Sequence, residues 1–183
     1  MPTVPRRKPV REIESGMHYQ YIGIDPGLSG GVVFLYEDCD EFEFHRMPRD
    51  MAELFVILAH QPECVRHVYV EKLASRPDQS AVAMWTFALH YGSLLMAAAV
   101  NFPQRHTLVS PKQWQHPLGV RSKKGEKKTT HKARLLNKAR ELYPYAHNLW
   151  RTADRTTQLA VCDALLLAHA AKVDKKGQLH AEA

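Results

Sequence analysis

Three acidic side chains stand where acids are costly unless they have work to do. Asp25 closes the stretch Tyr19-Gln20-Tyr21-Ile22-Gly23-Ile24-Asp25, and Pro26-Gly27-Leu28-Ser29-Gly30-Gly31 follows at once. Glu71 closes a second apolar run, His67-Val68-Tyr69-Val70-Glu71. Asp163 interrupts the helix-like stretch Gln158-Leu159-Ala160-Val161-Cys162-Asp163-Ala164-Leu165-Leu166-Leu167-Ala168. A desolvated, unpaired carboxylate is expensive. Each acid alone has a plain structural reading. Asp25 can cap a turn, and Asp163 can sit in a first helical turn favoured by the helix dipole. Together they suggest another chemistry. Strands ending at one sheet edge bring their last residues within several ångströms. Carboxylates that close repel, and a divalent cation resolves the repulsion. Oxygen-only ligands suit Mg²⁺, with Mn²⁺ able to substitute, rather than zinc. Acid clusters of this kind hold ions that serve phosphodiester hydrolysis.

The elements that must position these acids can be read from periodicity. Residues 19–46 hold three strands: the one ending at Asp25, then 32–36, then 41–45 with alternating polarity. A short helix fits 50–60, a strand 67–71, and a long helix 79–100. Met84, Trp85, Leu89, Leu94, Leu95 and Met96 of that helix read as core. A fifth strand, 106–109, precedes short helical segments near 111–117, and longer helices fit 129–142 and about 155–172. Antiparallel hairpins followed by strand–helix alternation give an α/β fold, a mixed five-stranded sheet with helices on both faces. Residues 1–17 read as a flexible basic arm, 18–173 as one folded domain, and 174–183 as a polar disordered tail.

With 183 residues the chain is one domain by length. A net charge of +6 and a pI near 9.3 favour a polyanionic partner. The cysteines Cys39, Cys64 and Cys162 form no metal pattern and suggest a reducing compartment. No apolar run reads as long enough to span a membrane, so no membrane partner is expected. The densest charge lies in Arg121-Ser122-Lys123-Lys124-Gly125-Glu126-Lys127-Lys128-Thr129-Thr130-His131-Lys132-Ala133-Arg134, a glycine-broken loop running into a helix. By itself such a run is a solvated surface. Beside an acid cluster, Lys123, Lys124, Lys127, Lys128 and Lys132 become candidates for phosphate contact, with Arg76 from the polar segment after Glu71. Trp114 reads as core, with base stacking as the other option.

The ordered set Ile22-Gly23-Ile24-Asp25-Pro26-Gly27, Glu71, Tyr91-Gly92, Ser110-Pro111-Lys112-Gln113-Trp114, Lys132, Tyr143-Pro144 and Asp163-Ala164-Leu165 resembles the RuvC-type Holliday-junction resolvases of the RNase H-like superfamily. It looks most similar to the branch found in phages and in the chloroplast. The resemblance covers roughly residues 19–172 and implies an RNase H-like fold. It also implies an Mg²⁺-dependent crossover-junction endodeoxyribonuclease serving DNA recombination and repair, with branched four-way DNA as partner. Asp25, Glu71 and Asp163 would be both metal ligands and catalytic residues. Lys132 falls where the family's active-site lysine is expected and would stabilise charge on the cleaved phosphate. Paired symmetric nicks imply a C₂ homodimer, with the helix 79–100 as a reasonable contact. Leu73 or Arg76 would open base pairs at the crossover. The implied setting is cytoplasmic or nucleoid-associated, in a phage-infected cell or an organelle.

One departure stands out. The family places a fourth metal-site Asp or His about one helical turn before the last acid, and here that position is Ala160. Gln158 and Asp154 lie further upstream and are poorer candidates. Either a fourth ligand comes from elsewhere, or the chain is a catalytically weakened junction binder. Another RNase H-like nuclease, and a DNA-binding module without catalysis, remain as alternatives. An actin-like ATPase would need a second glycine-rich Asp loop, which the sequence lacks.

Overall fold

The computed structural model describes residues 19–39, 41–59, 62–73 and 80–174. The basic arm, Arg76 and the chain beyond Asp174 lie outside the described residues. Five strands, β1 (Gln20–Asp25), β2 (Gly31–Tyr36), β3 (Phe42–Arg46), β4 (Val65–Glu71) and β5 (His106–Val109), form one sheet in the order β3-β2-β1-β4-β5. β1–β2 and β2–β3 are antiparallel; β1–β4 and β4–β5 are parallel. The β1–β2 reversal is a tight turn in which the Gly30 amide donates to the Gly27 carbonyl at 2.9 Å. Gly27 has φ +103°, a conformation other residues rarely adopt.

Helices cover both faces, as the sequence pattern implies. α1 (Met51–Leu58) and α2 (Ala81–Asn101) pack on one face, where Leu54, Leu58, Leu94, Ala97 and Ala98 meet Ile22, Ile24, Val68 and Val70. α3 (Pro111–Gln115), α4 (Lys128–Leu142), α5 (His147–Thr152) and α6 (Arg155–Val173) build the other. There Trp114, Leu135, Leu136 and most of α6 meet Tyr21, Val33, Leu35 and Tyr69. α6 is the central helix, buried almost continuously from Ala160 to Ala168. It lies across β1, β2 and β4.

Several sequence expectations need correction. Met84, Trp85, Leu89 and Met96 are not core: they are 39%, 68%, 54% and 65% exposed. α2 is apolar on nearly every side. Its buried residues are Leu94, Ala97 and Ala98, while these bulkier side chains turn outward. This 21-residue helix also reaches membrane-spanning length, with a mean hydropathy of 1.3 over its most apolar window, of which 17% is buried. Asp163 lies in the middle of α6, beyond reach of a first-turn dipole. Asp174 is held, not loose: it accepts a hydrogen bond from the Tyr69 hydroxyl as α6 ends. α5 and a 3₁₀ turn at Pro62–Cys64 have no counterpart in the sequence pattern.

Candidate active site

Strand alternation sets which way the two strand-end acids face. On β1, Tyr21 belongs to the α6 side of the sheet while Ile22 and Ile24 belong to the other. Asp25, two residues beyond Gly23, therefore emerges toward α6. On β4, Tyr69 lies on the α6 side with Val68 and Val70 opposite, so Glu71 emerges on the same side. The parallel register pairs Ile24 with Val70, which leaves Asp25 and Glu71 next in line at one sheet edge. Neighbouring strands lie about 4.8 Å apart. The third acid arrives because α6 presses directly onto β1 at Gly23. A Cβ there would lie 2.0 Å from the Ala164 carbonyl oxygen and 2.3 Å from the Ala168 amide nitrogen. Asp163 immediately precedes Ala164, so the glycine that admits the helix also brings Asp163 to the sheet edge.

Lys132 completes the cluster. α4 buries Leu135, Leu136 and Ala139 against α6. Lys132, one turn earlier on that face, points its ammonium at Asp163 Oδ2. It is thus an inward lysine rather than a surface one. The other oxygen of Asp163, Oδ1, is buried with no hydrogen-bond partner among the described residues. Asp163 itself is 5% exposed.

The electrostatics follow from this placement. Burial, then the charges of Asp163 and Glu71, push the Asp25 carboxyl well above its ordinary range, and Lys132 only partly offsets them. Glu71 is raised by burial and by Asp163, against the pull of the Trp114 N–H and Lys132. Asp163 is raised by burial, which outweighs its pairing with Lys132. Burial works against the Lys132 ammonium, yet Asp163 and Asp25 hold its proton more tightly than usual. Three acids that resist ionisation around one cation form a site short of positive charge.

Two supports were not visible as such in the sequence. The Trp114 indole, 1% exposed, donates through Nε1 to Glu71 Oε2 at 3.0 Å. Trp114 is therefore core, as expected, and also holds the strand-end carboxylate of Glu71. Its placement starts from a capping box in which Ser110 and Gln113 satisfy each other's backbone at the start of α3. That pairing could have been read from Ser110-x-x-Gln113. The Tyr91 hydroxyl, on α2, lies 3.4 Å from both the Glu71 carbonyl and the Leu73 amide. It ties the exit of β4 to the opposite helical layer.

The donor set fits a hard divalent ion: three carboxylates, each with raised proton affinity, and one buried oxygen lacking a partner among the described residues. Among the described residues, however, no three His, Cys, Asp or Glu side chains form a ready-made ion cage. The alternative fourth ligands are engaged elsewhere. Gln158 donates to the Trp150 and Ala153 carbonyls and accepts from Arg140. Asp154 caps α6 through the Thr157 amide and pairs with Arg46. Ala160 is 4% exposed and brings no donor.

Beside the acids lies the basic loop. Lys123, Lys124, Lys127 and Lys128 are all exposed. Lys128 starts α4 one turn before Lys132, so it lies on the helix face from which Lys132 reaches Asp163.

No family profile matches the chain, and no curated protein matches it. Solved structures do. A Thermus thermophilus RuvC structure aligns with TM-score 0.49 and 19% identity over 81% of this chain and 90% of that one. T. thermophilus RuvC in complex with Holliday junction substrate aligns with TM-score 0.52 and 18% identity over 84% and 92%. At this identity the second likeness shows the fold alone: a mixed five-stranded α/β sheet arranged as in RuvC.

Proposed function

We propose that this protein is a metal-dependent endonuclease that resolves four-way DNA junctions. The observation that carries this reading is the gathering of Asp25, Glu71 and Asp163 at one sheet edge, with a buried oxygen on Asp163 that has no hydrogen-bond partner among the described residues and with exposed lysines leading into the helix of Lys132. The RuvC-like fold, with one similar structure holding a Holliday junction, supports the substrate class. Asp25, Glu71 and Asp163 would hold Mg²⁺, or Mn²⁺ in its place. Bound there, the ions would supply Lewis acidity and a water of lowered pKa for phosphodiester hydrolysis. The chain's own residues do the rest. Trp114 fixes the orientation of Glu71. Lys132 carries a retained proton at the acids and can neutralise a phosphate oxygen at the cut. The lysines of residues 123–128 track the backbone as a salt-sensitive phosphate contact.

Resolution needs two symmetric cuts, hence a C₂ dimer. The outward face of α2 suits that contact: Trp85, Leu89, Met96 and Val100 are exposed there. Gly92 has open space around its Cβ position, so nothing among the described residues requires a glycine. In mid-helix it costs about 1 kcal/mol relative to Ala, which a close-approaching partner helix would explain.

Ala160 favours a second reading, a junction binder with weakened catalysis. One experiment separates the two. A labelled synthetic junction is incubated with the wild-type protein and with Ala160→Asp, with and without Mn²⁺. Cation-dependent paired nicking by wild type supports the nuclease. Tight binding without turnover, with nicking gained only in Ala160→Asp, supports the weakened form.

A further inference from the structure

The basic run 121–134 contains one acid, Glu126, and its side chain is the least exposed part of the loop. It is 8% exposed, whereas the lysines on either side are open to solvent. Glu126 receives three donors. Arg134, from α4, gives Nε to Oε1 at 2.8 Å and Nη2 to Oε2 at 2.9 Å, a two-pronged pairing. The Lys123 backbone amide donates to Oε2 at 3.0 Å. The Glu126 amide returns a bond to the Lys123 carbonyl at 3.0 Å, across Gly125 at φ +76°. Arg134 also donates to the Arg121 carbonyl at 2.8 Å. His131 contacts the Val120 carbonyl at 2.9 Å. The Arg134 hydrogen bonds, with the Lys123 amide, hold the Glu126 carboxyl down to about 2, so it stays ionised throughout the neutral range.

We propose that Glu126 is a positioning residue for nucleic acid, an internal strut that holds Lys123, Lys124, Lys127 and Lys128 as one preset array beside the acid cluster. The proposal rests on the reading above that this loop contacts DNA. Neighbouring ammonium groups repel, and a glycine-broken loop would otherwise let them splay. An array already ordered before binding loses less conformational entropy when phosphates arrive. Arg134 is thereby spent inside the protein rather than on DNA.

The consequence runs against simple electrostatics. Glu126→Gln makes the loop more positive by one charge. If the loop were a solvated cloud of lysines, junction binding would tighten. With a strut, the variant should bind a labelled four-way junction about tenfold more weakly at moderate salt, with a salt slope shallower by about 1. Glu141→Gln, which adds the same charge at an exposed position paired with Lys138, serves as the control and should bind no more weakly than wild type. Arg134→Lys keeps net charge constant and loses the two-pronged bond, so it should also weaken binding even if Glu126→Gln folds poorly. Trypsin should cut at Lys123–Lys128 faster in both strut variants. If Glu126→Gln and Arg134→Lys both bind as tightly as the Glu141→Gln control, the strut is overturned while the DNA reading stands. If wild type does not bind junctions, or its binding ignores removal of Lys123, Lys124, Lys127 and Lys128, the DNA reading itself fails.

Discussion

At the scale of single residues, the acids govern how the molecule holds protons. Asp25, Glu71 and Asp163 all hold protons more tightly in the fold than in an unfolded chain. The folded state therefore binds more protons above the ordinary carboxylate range. By linkage its stability falls as pH rises through the raised values. Lys132 is also raised, but its contribution is complete below its ordinary value and does not change in this window. In EDTA, the melting temperature should decline from pH 5 to pH 8, and millimolar Mg²⁺ should recover most of the loss. A flat or rising profile in EDTA would count against three buried, mutually repelling acids. Trp114 offers a second test at this scale. Trp114→Phe keeps the ring in the core and removes the N–H that steadies Glu71. Divalent-ion affinity by calorimetry should drop roughly 10-fold or more, as for lost supports of metal ligands elsewhere. The three acids were legible in the sequence because each ended or broke an apolar run. The indole bond was not, since it joins positions far apart in sequence whose meeting depends on how α3 docks.

At the scale of elements, helix-to-strand approach decides whether a site exists. Gly23→Ala would place a methyl 2.0 Å from the Ala164 carbonyl, so α6 must lift from β1. Overpacking of this kind costs about 3 kcal/mol, measurable by urea unfolding. Unchanged stability would mean that α6 does not rest on Gly23. The strands and long helices were readable from periods of two and 3.6. The facing of α2 was not. A helix apolar on most sides carries no periodic mark of its buried stripe, so Trp85, Leu89 and Met96 read as core although they face outward. That outward face leads to a further expectation. Leu89→Glu, at a 54% exposed position, should leave the fold intact and yield a monomer by sedimentation, with single nicks replacing paired cuts. A wild type already monomeric at working concentration would remove the dimer from the proposal.

Across the whole molecule, fold class and charge balance were both accessible early. Hairpins followed by strand–helix alternation led to a mixed sheet covered on both faces, and the sheet order β3-β2-β1-β4-β5 bears this out. What one dimension could not carry was convergence: that β1, β4, α4 and α6 deliver Asp25, Glu71, Lys132 and Asp163 to a single edge is a property of register and packing. The central claim is that this edge gathers divalent cations over a DNA backbone. Its most direct test is single-turnover cleavage of an end-labelled four-way junction in Mg²⁺ by wild type and by Asp25→Asn. The substitution keeps shape and removes most of the cation attraction. Cleavage by wild type, with a loss on the order of 10²-fold or more in Asp25→Asn and junction binding retained, is the expected result. Equal cleavage by the two proteins would contradict it.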